Sequence, residues 1–444
     1  MADLRVPGTS LMPVQPPVPS NLDDWLEFIG RQHSAEIVMG LDRVRAVWQR
    51  MGKPQSPTNL IVGGTNGKGS TCAMLESILH AAGFKTGFYC SPHLLRYNER
   101  VRVGKVEAGD AQLVASFEAV ERARTAIEPP TPLTYFEYAT LSALWIFCQE
   151  NVEVAILEVG LGGRLDAVNI VNADVSIVVS IDLDHQSFLG DTREKIGLEK
   201  AHIFRTGHAA IFADTDPPHS LLDHARDIGA DLRLLDRDFR YQVMDGQWQF
   251  FGKESARHSL PFPALRGSYQ LKNATAALAA LETLQDRLPI SQGHVKRGLL
   301  EVDWPGRMQV MPGRPVVVLD VAHNPHAARA LDDALASMSF HPNTFAVFGM
   351  LQDKDIDSVV KILKGRIDFW FIAGLESVAG ARGATAAMLA EKLAAHGLGD
   401  RFSRHMSIAN AYAAAREKAG ENDRILVFGS FYTVAEILRL FQPT

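Results

Sequence analysis

Apolar residues recur along this chain in two rhythms. Short runs end abruptly in glycine, a carboxylate or histidine, and longer stretches bring them back at helical spacing. Asn21 or Asp23 caps a helix predicted through Trp25, Phe28 and Ile29, and Leu41, Val44 and Trp48 mark a second one. Residues 59–62 form an apolar strand that breaks into Gly63-Gly-Thr-Asn-Gly-Lys-Gly-Ser70, and a helix follows over 70–80. Further strands are expected at 85–90, ending in Ser91-Pro92-His93; at 152–159, ending in Glu158 and the run Gly160-Leu-Gly-Gly-Arg164; and at 173–181, ending near Asp182, Asp184 and His185. Helices are expected at 136–149, 192–204 and 271–284, with short strands and turns over 209–265.

From residue 316 the texture changes. Strands at 316–321, 344–349, 369–374 and 424–429 alternate with helices at 327–335, 355–364, 385–396 and 408–418, which implies a second parallel sheet. Trp304-Pro305-Gly306-Arg307 and Pro312-Gly313 make 301–313 the natural hinge. The expected organisation is α/β throughout: a loose proline-bearing tail over 1–20, a nucleotide-binding domain over 21–300, the hinge, and a smaller domain over 314–444.

Composition narrows the picture without redirecting it. With 46% hydrophobic and 22% charged residues the chain reads as a globular protein. No apolar run approaches the roughly 20 residues of a spanning helix, and the N-terminus lacks the pattern of a signal peptide, so a cytoplasmic protein without a membrane partner is expected. A net charge of -6 argues against a general nucleic-acid binder. Cys72, Cys90 and Cys148 form no C-x-x-C pair and are expected to be buried free thiols.

The chemistry gathers at strand ends. Glycines let backbone N–H groups converge on an anion, the following helix presents its positive end, and Lys68 adds a full charge, so residues 64–70 are read as a cradle for a nucleotide triphosphate. The spacing departs from the commonest P-loop, and a glycine-rich turn without ligand is the bland alternative. Glu158, at the C-terminal end of an apolar strand beside that loop, stands where such sites hold Mg²⁺. Ser91, Glu158 and His185 come from three strands to one sheet edge and form the expected metal set. Residues 94–103 mix Arg96, Arg100 and Arg102 with Tyr97 and Asn98; they suit a loop that receives an anionic planar ligand, or else a solvated charged hairpin. The helix bearing Glu194, Lys195, Glu199 and Lys200 reads most simply as a charged face.

Taken together, Gly64-Thr-Asn-Gly-Lys-Gly-Ser70, Ser91-Pro-His-Leu-Leu-Arg-Tyr-Asn-Glu-Arg-Val101, Leu133-Thr-Tyr-Phe-Glu-Tyr138, Glu158-Val-Gly-Leu-Gly-Gly-Arg-Leu-Asp166, Asp184-His185, Glu199-Lys-Ala201, Leu319-Asp-Val-Ala-His-Asn-Pro325 and Gly429-Ser-Phe-Tyr-Thr433 resemble the folate branch of the ATP-dependent amino-acid ligases, the group that also includes the Mur ligases. Within that branch the similarity is to bifunctional dihydrofolate synthase/folylpolyglutamate synthases. The resemblance implies an N-terminal P-loop ATPase-like domain with a parallel sheet and a smaller C-terminal Rossmann-like domain. It implies ATP on Gly64, Thr65, Asn66, Gly67, Lys68, Gly69, Ser70, Asn273, Arg307 and Asp320, with Lys68, Lys200 and His323 in catalytic roles. Ser91, Glu158 and His185 would ligate Mg²⁺, two ions in all, with a monovalent cation besides, and Lys200 would be carbamylated. Pteroate or folate would meet Thr134, Tyr135, Phe136, Glu137, Leu165 and Asp166; glutamate would face His323 and Ser430; and the enzyme would be a monomer.

His202, Val168, Tyr269 and the segment Ile37-Val-Met-Gly-Leu-Asp-Arg-Val44 depart from the family's usual residues. Two other readings stay open here. A Mur-type ligase of a UDP-linked acceptor would carry a UDP-binding domain, for which about sixty residues before the loop leave little room. A nucleotide switch without ligase activity would need the loop and metal alone.

Overall fold

The computed structural model describes residues 19–33, 38–52 and 57–442. The expected tail therefore lies outside the described residues except for 19 and 20, and so does Ile37.

The first sheet has eight strands: β1 (Thr58–Gly63), β2 (Thr86–Tyr89), β3 (Val101–Val103), β4 (Val106–Glu107), β5 (Val154–Glu158), β6 (Val175–Val178), β7 (Ala209–Phe212) and β8 (Asp231–Leu234). Their order is β4-β3-β2-β5-β1-β6-β7-β8, parallel from β2 to β8, with β3 and β4 added as an antiparallel edge. The period of two in each strand divides the core. Leu60, Val62, Val154, Ile156, Val175 and Ile177 point to one side, against the helices Lys68–Ala81, Tyr269–Glu282 and Gln292–Glu301. Ile61, Tyr89, Leu157 and Val178 point to the other, against the helices Leu22–Gly30, Asp42–Arg50, Asp110–Arg124 and Tyr135–Gln149. Because both faces are covered, the central strands are apolar at consecutive positions.

Strands β9 (Arg240–Met244), β10 (Gln247–Phe251) and β11 (Ala256–Leu260) form a small antiparallel sheet within the 209–265 region. The second domain is a six-stranded sheet of β12 (Gln309–Met311), β13 (Val316–Asp320), β14 (Thr344–Phe348), β15 (Phe369–Ala373), β16 (Phe402–His405) and β17 (Arg424–Phe428), in the order β12-β13-β17-β14-β15-β16. The same alternation sends Val318, Ala346, Phe348, Leu426 and Phe428 to one core and Leu319, Phe345, Val347, Ile425 and Val427 to the other.

Three expectations need correction. The hinge 301–313 is not all linker, since β12 lies inside it and pairs antiparallel with β13, so the second sheet is parallel only from β13 onward. Strand β16 was missed because Phe402-Ser-Arg-His405 is a half-buried edge with little apolar pattern. For residues 94–103 the loop reading gives way to the hairpin: after irregular chain at 94–96, Tyr97–Arg100 is a 3₁₀ turn that leads into the β3–β4 hairpin. Among the described residues no helix is long and apolar enough to cross a membrane.

Candidate active site

The C-terminal ends of β1, β5 and β6 lie side by side in the first sheet, and the chain leaves β1 and β5 toward opposite sides, which opens a crevice at that edge. The corresponding edge of β13, β14 and β17 faces it. Between them lies a cavity of about 980 Å³ lined from both domains.

The loop after β1 is stitched to the end of β6. Thr65 N–H donates to Ser180 O (2.8 Å), Thr65 Oγ1 to Asp182 O (3.0 Å), and Asn66 N–H to Ser180 Oγ (3.1 Å). The helix begins at Lys68, two residues earlier than expected, with Gly67 as its N-cap at φ 85°. A Cβ on Gly67 would lie 2.6 Å from Asn273 Oδ1, so glycine is required by both conformation and space. Lys68, Gly69 and Ser70 thus form the first helical turn, whose amides have no intrahelical acceptor and suit an anion. Among the described residues Lys68 Nζ donates only to its own loop, to Gly64 O (3.1 Å) and Thr65 O (3.4 Å).

Ser91, Glu158 and His185 all line the cavity. Glu158 is buried and accepts from Ser91 N–H at 3.1 Å; burial pushes its carboxyl up, against the pull of Lys68. His185 sits at φ 51°, and burial, then nearby Lys354, lowers it to about 4, so it is a neutral imidazole. Among the described residues no group of three or more His, Cys, Asp or Glu side chains is placed to hold a metal. One carboxylate, one hydroxyl and one imidazole nonetheless fit Mg²⁺, which binds few protein ligands and fills its octahedron with water and phosphate oxygens.

Lys200 does not belong to a solvated face. It is buried, its Nζ donates to Gly64 O (3.1 Å), and burial followed by Lys68 lowers its pKa to about 7. Exposed Glu194 and Lys195 make up the charged side of that helix.

From the second domain, buried Asp320 accepts from Met308 N–H (2.9 Å) and Ala322 N–H (2.8 Å), and the Arg307 guanidinium lies 5.1 Å over the Phe431 ring. His323 Nδ1–H donates to Val321 O (2.8 Å), which leaves the Nε2 lone pair toward the cleft; burial lowers this histidine to about 4. Ser430 caps the helix Phe431–Leu440 and lines the cavity. Asn273 lies behind the phosphate loop and donates to Gln270 Oε1 (2.8 Å).

Reading the sequence missed the polar bridge between the domains. Asp184 accepts from Lys354 Nζ (2.8 Å) and Asn324 Nδ2 (2.9 Å), and Asn324 Oδ1 accepts from Asn66 Nδ2 (3.1 Å). Burial pushes the Asp184 carboxyl up, but Lys354 and the neighbouring histidines hold it well below the usual carboxylate range. The available signal was position, since Met350-Leu-Gln-Asp-Lys354 follows a buried parallel strand as Lys68 follows β1.

The acceptor-side residues lie elsewhere. Thr134, Tyr135, Phe136, Glu137, Leu165 and Asp166 do not line the cavity. Thr134 and Glu137 form the capping box of the helix Tyr135–Gln149, and Glu137 also pairs with Arg43 (2.9 Å). Asp166 accepts from Leu161 N–H (2.8 Å) and Val168 N–H (3.0 Å), and burial raises its carboxyl to about 6. The Phe136 ring packs on Gly160, where a Cβ would come within 2.6 Å of it. Of the three arginines expected to meet a ligand, Arg102 pairs with buried Glu76 and Arg96 with Glu107, while only Arg100 lines the cavity. Cys72 and Cys90 are buried, and Cys148 is half-buried.

Two family models match this chain: the Mur ligase middle domain over residues 62–281 and the Mur ligase glutamate ligase domain over 306–431. The dihydrofolate synthase/folylpolyglutamate synthase of Escherichia coli K12 is 45% identical over 429 residues, covering 96% of this chain and 97% of that protein. The structure of E. coli FolC in complex with DHPP and ADP superposes with a TM-score of 0.89 at 43% identity, over 96% of this chain and 99% of that one. A bifunctional folylpolyglutamate synthase/dihydrofolate synthase with Mn, AMPPNP and L-glutamate bound gives a TM-score of 0.87 at 41% identity, over 96% and 99% of the two chains. This chain belongs to the dihydrofolate synthase/folylpolyglutamate synthase branch of the Mur ligase family.

Proposed function

We infer that this ATP-dependent ligase joins L-glutamate to the carboxylate of dihydropteroate and to the γ-carboxylate of folates through an acyl phosphate. One observation carries the reading: the phosphate loop at the edge of the first sheet and His323, Ser430 and Lys354 at the edge of the second line the same cavity. Phosphoryl donor and incoming amino acid thus approach from opposite domains. Relatives are known with DHPP and ADP bound and with Mn, AMPPNP and L-glutamate bound, the ligands that this reaction needs.

An amide cannot form from a free carboxylate by expelling oxide, so the carboxylate oxygen first bonds to the γ-phosphorus while the bond to the β-phosphate oxygen breaks and ADP leaves. Residues 64–70 hold the phosphates, and the Lys68 ammonium opposes the charge on the transferring group. Asn273, Arg307 and Asp320 contact the remainder of ATP, and Thr134–Glu137 with Leu165 and Asp166 frame the pteroate. Mg²⁺ held by Ser91, Glu158 and His185 would neutralise phosphate charge.

The glutamate amine, with an ordinary pKa of about 8, must then lose its proton. His323 is the candidate base: its Nδ1–H is fixed on Val321 O, and its Nε2 stands 4.0 Å from the Asp184 carboxylate, which would stabilise the imidazolium against the burial that lowers it. Ser430 and the Lys354 ammonium serve the glutamate carboxylates. Lys200, whose pKa falls to about 7, offers a neutral amine to CO₂, and the resulting carbamate would face Lys68. Incubation with ATP, Mg²⁺, bicarbonate, glutamate and either dihydropteroate or tetrahydrofolate, followed by mass spectrometry, should show one added glutamate. No product from either acceptor overturns the reading.

A further inference from the structure

Arg100 has no task in the scheme above. Its residue is 9% exposed, yet it lines the same cavity as Ser91, Glu158 and Lys68. Its Nε donates to His93 Nδ1 at 2.8 Å, and among the described residues that is its only side-chain hydrogen bond. The guanidinium carbon lies 5.5 Å from the ring centroids of both Tyr97 and Tyr135, which hold it in place without supplying a counter-charge. Arg102, two residues on, is the contrast: it has a buried carboxylate partner in Glu76. An arginine remains charged at any ordinary pH, and a buried charge without an ion-pair partner is costly. The arrangement is completed by an anion that enters from the cavity.

Position identifies that anion. The Arg100 charge reaches Glu158, whose carboxylate also feels Lys68 and accepts from Ser91 N–H, on the side where the γ-phosphate is received. On the other is Tyr135, which begins the helix on the acceptor side. The group that must lie between an acceptor and a γ-phosphate is the carboxylate to be activated.

We propose that Arg100 binds the acceptor carboxylate through its Nη atoms, and afterwards stabilises the oxyanion that forms when the glutamate amine attacks the acyl phosphate. This rests on the ligase reading. The oxygen that is not phosphorylated becomes the carbonyl oxygen. When the amine nitrogen bonds to that carbon, the C=O electron pair moves onto this oxygen, and it returns as the C–O bond to phosphate breaks and inorganic phosphate leaves. The nitrogen gives up two protons in all: His323 takes the one lost before attack, and the one lost after it leaves on the departing phosphate, as hydrogen phosphate. A donor fixed before the reaction on the atom that gains charge is the arrangement that lowers such a barrier.

The test compares dihydropteroate with its carboxamide, which has the same shape without the charge. Each is titrated calorimetrically into the full chain saturated with Mg²⁺ and a non-hydrolysable ATP analogue. Wild type should prefer the carboxylate by about tenfold to 100-fold, the range of a charge-assisted hydrogen-bond pair. Arg100→Gln should bind the two alike, with its affinity for the ATP analogue unchanged within about threefold, a change too small for a lost charged contact.

A preference in Arg100→Gln equal to that of wild type overturns the proposal. So does an equal weakening of both acceptors, which marks a framework role, or a loss confined to the ATP analogue, which assigns the arginine to phosphate. Should Arg100→Gln fail to fold, Arg100→Lys decides by the same ratio: a reduced preference supports the proposal and an unchanged one overturns it. Wild-type turnover separates the two levels of inference. If wild type ligates glutamate to dihydropteroate while the variants discriminate as it does, only the role of Arg100 falls; if wild type makes no product, the ligase reading falls first.

Discussion

At the end of β1 the polar groups face an open cavity, whereas around residues 134–137 and 166 they are turned onto the backbone. Lys68 rests on two carbonyls of its own loop, and the amides of the first helical turn have no intrahelical acceptor. Thr134, Glu137 and Asp166 instead each cap an element or fix a turn, and Glu137 is closed by Arg43 as well. The first region leaves its hydrogen-bonding groups open to the cavity; the second uses them to hold its own shape. Both regions carry polar residues in motif order, so the contrast lies in what those residues touch.

Substituting within each region should separate the two modes. Lys68→Ala should lower ligation by about 1,000-fold, the scale of losing one pre-placed electrostatic group, with the melting temperature unchanged because only loop carbonyls lose a donor. A large fall in melting temperature would move Lys68 into the structural class. Thr134→Ala should do the reverse: a loss of about 1 kcal/mol in urea unfolding from the missing helix cap, with nucleotide affinity unaltered. An unchanged unfolding midpoint would show that the cap is not what Thr134 provides.

The effect at Lys200 is read as a slope with pH. Its folded pKa is lowered to about 7, while an unfolded lysine titrates near 10.4. Between those values the unfolded chain binds more protons, so stability relative to Lys200→Met should rise as pH goes from about 7 to 10 in CO₂-free buffer. A difference that stays flat or falls would mean that the lysine is not desolvated.

Much of the fold was legible because both sheets are covered on both faces. Nearly every core strand is then a continuous apolar run bounded by glycine or a carboxylate; Tyr135–Gln149 shows as an apolar stretch behind a capping threonine, and Ile356–Leu363 keeps a clear period behind a capping aspartate. What escaped was the weakly patterned edge, β12 and β16, where half-buried residues carry no strong rhythm, together with the helices Asp110–Arg124, His219–Asp227, Gln292–Glu301 and Phe431–Leu440. The site was legible where one continuous segment builds it, as in Gly64–Ser70, and less so where side chains distant in sequence meet. Gly69 shows the limit. Its presence marked the unusual loop, but the tertiary structure puts the hinge residue Trp304 against it, where a Cβ would lie 2.7 Å from the indole nitrogen.

By itself, then, the sequence determined the central strands of both sheets and several of the helices between them, the phosphate-binding turn and the strand ends at which Ser91, Glu158 and His185 appear. These follow from local periodicity and from the backbone freedom of glycine. Only the tertiary structure decided that Asn66, Asp184, Asn324 and Lys354 meet across the domains, and that Arg100 faces the cavity while Arg102 turns to Glu76. The physical reason is the same in both cases. Which way a side chain points, and what it meets there, depends on register and on the packing of elements far apart in the chain, and neither leaves a mark on the residues nearby.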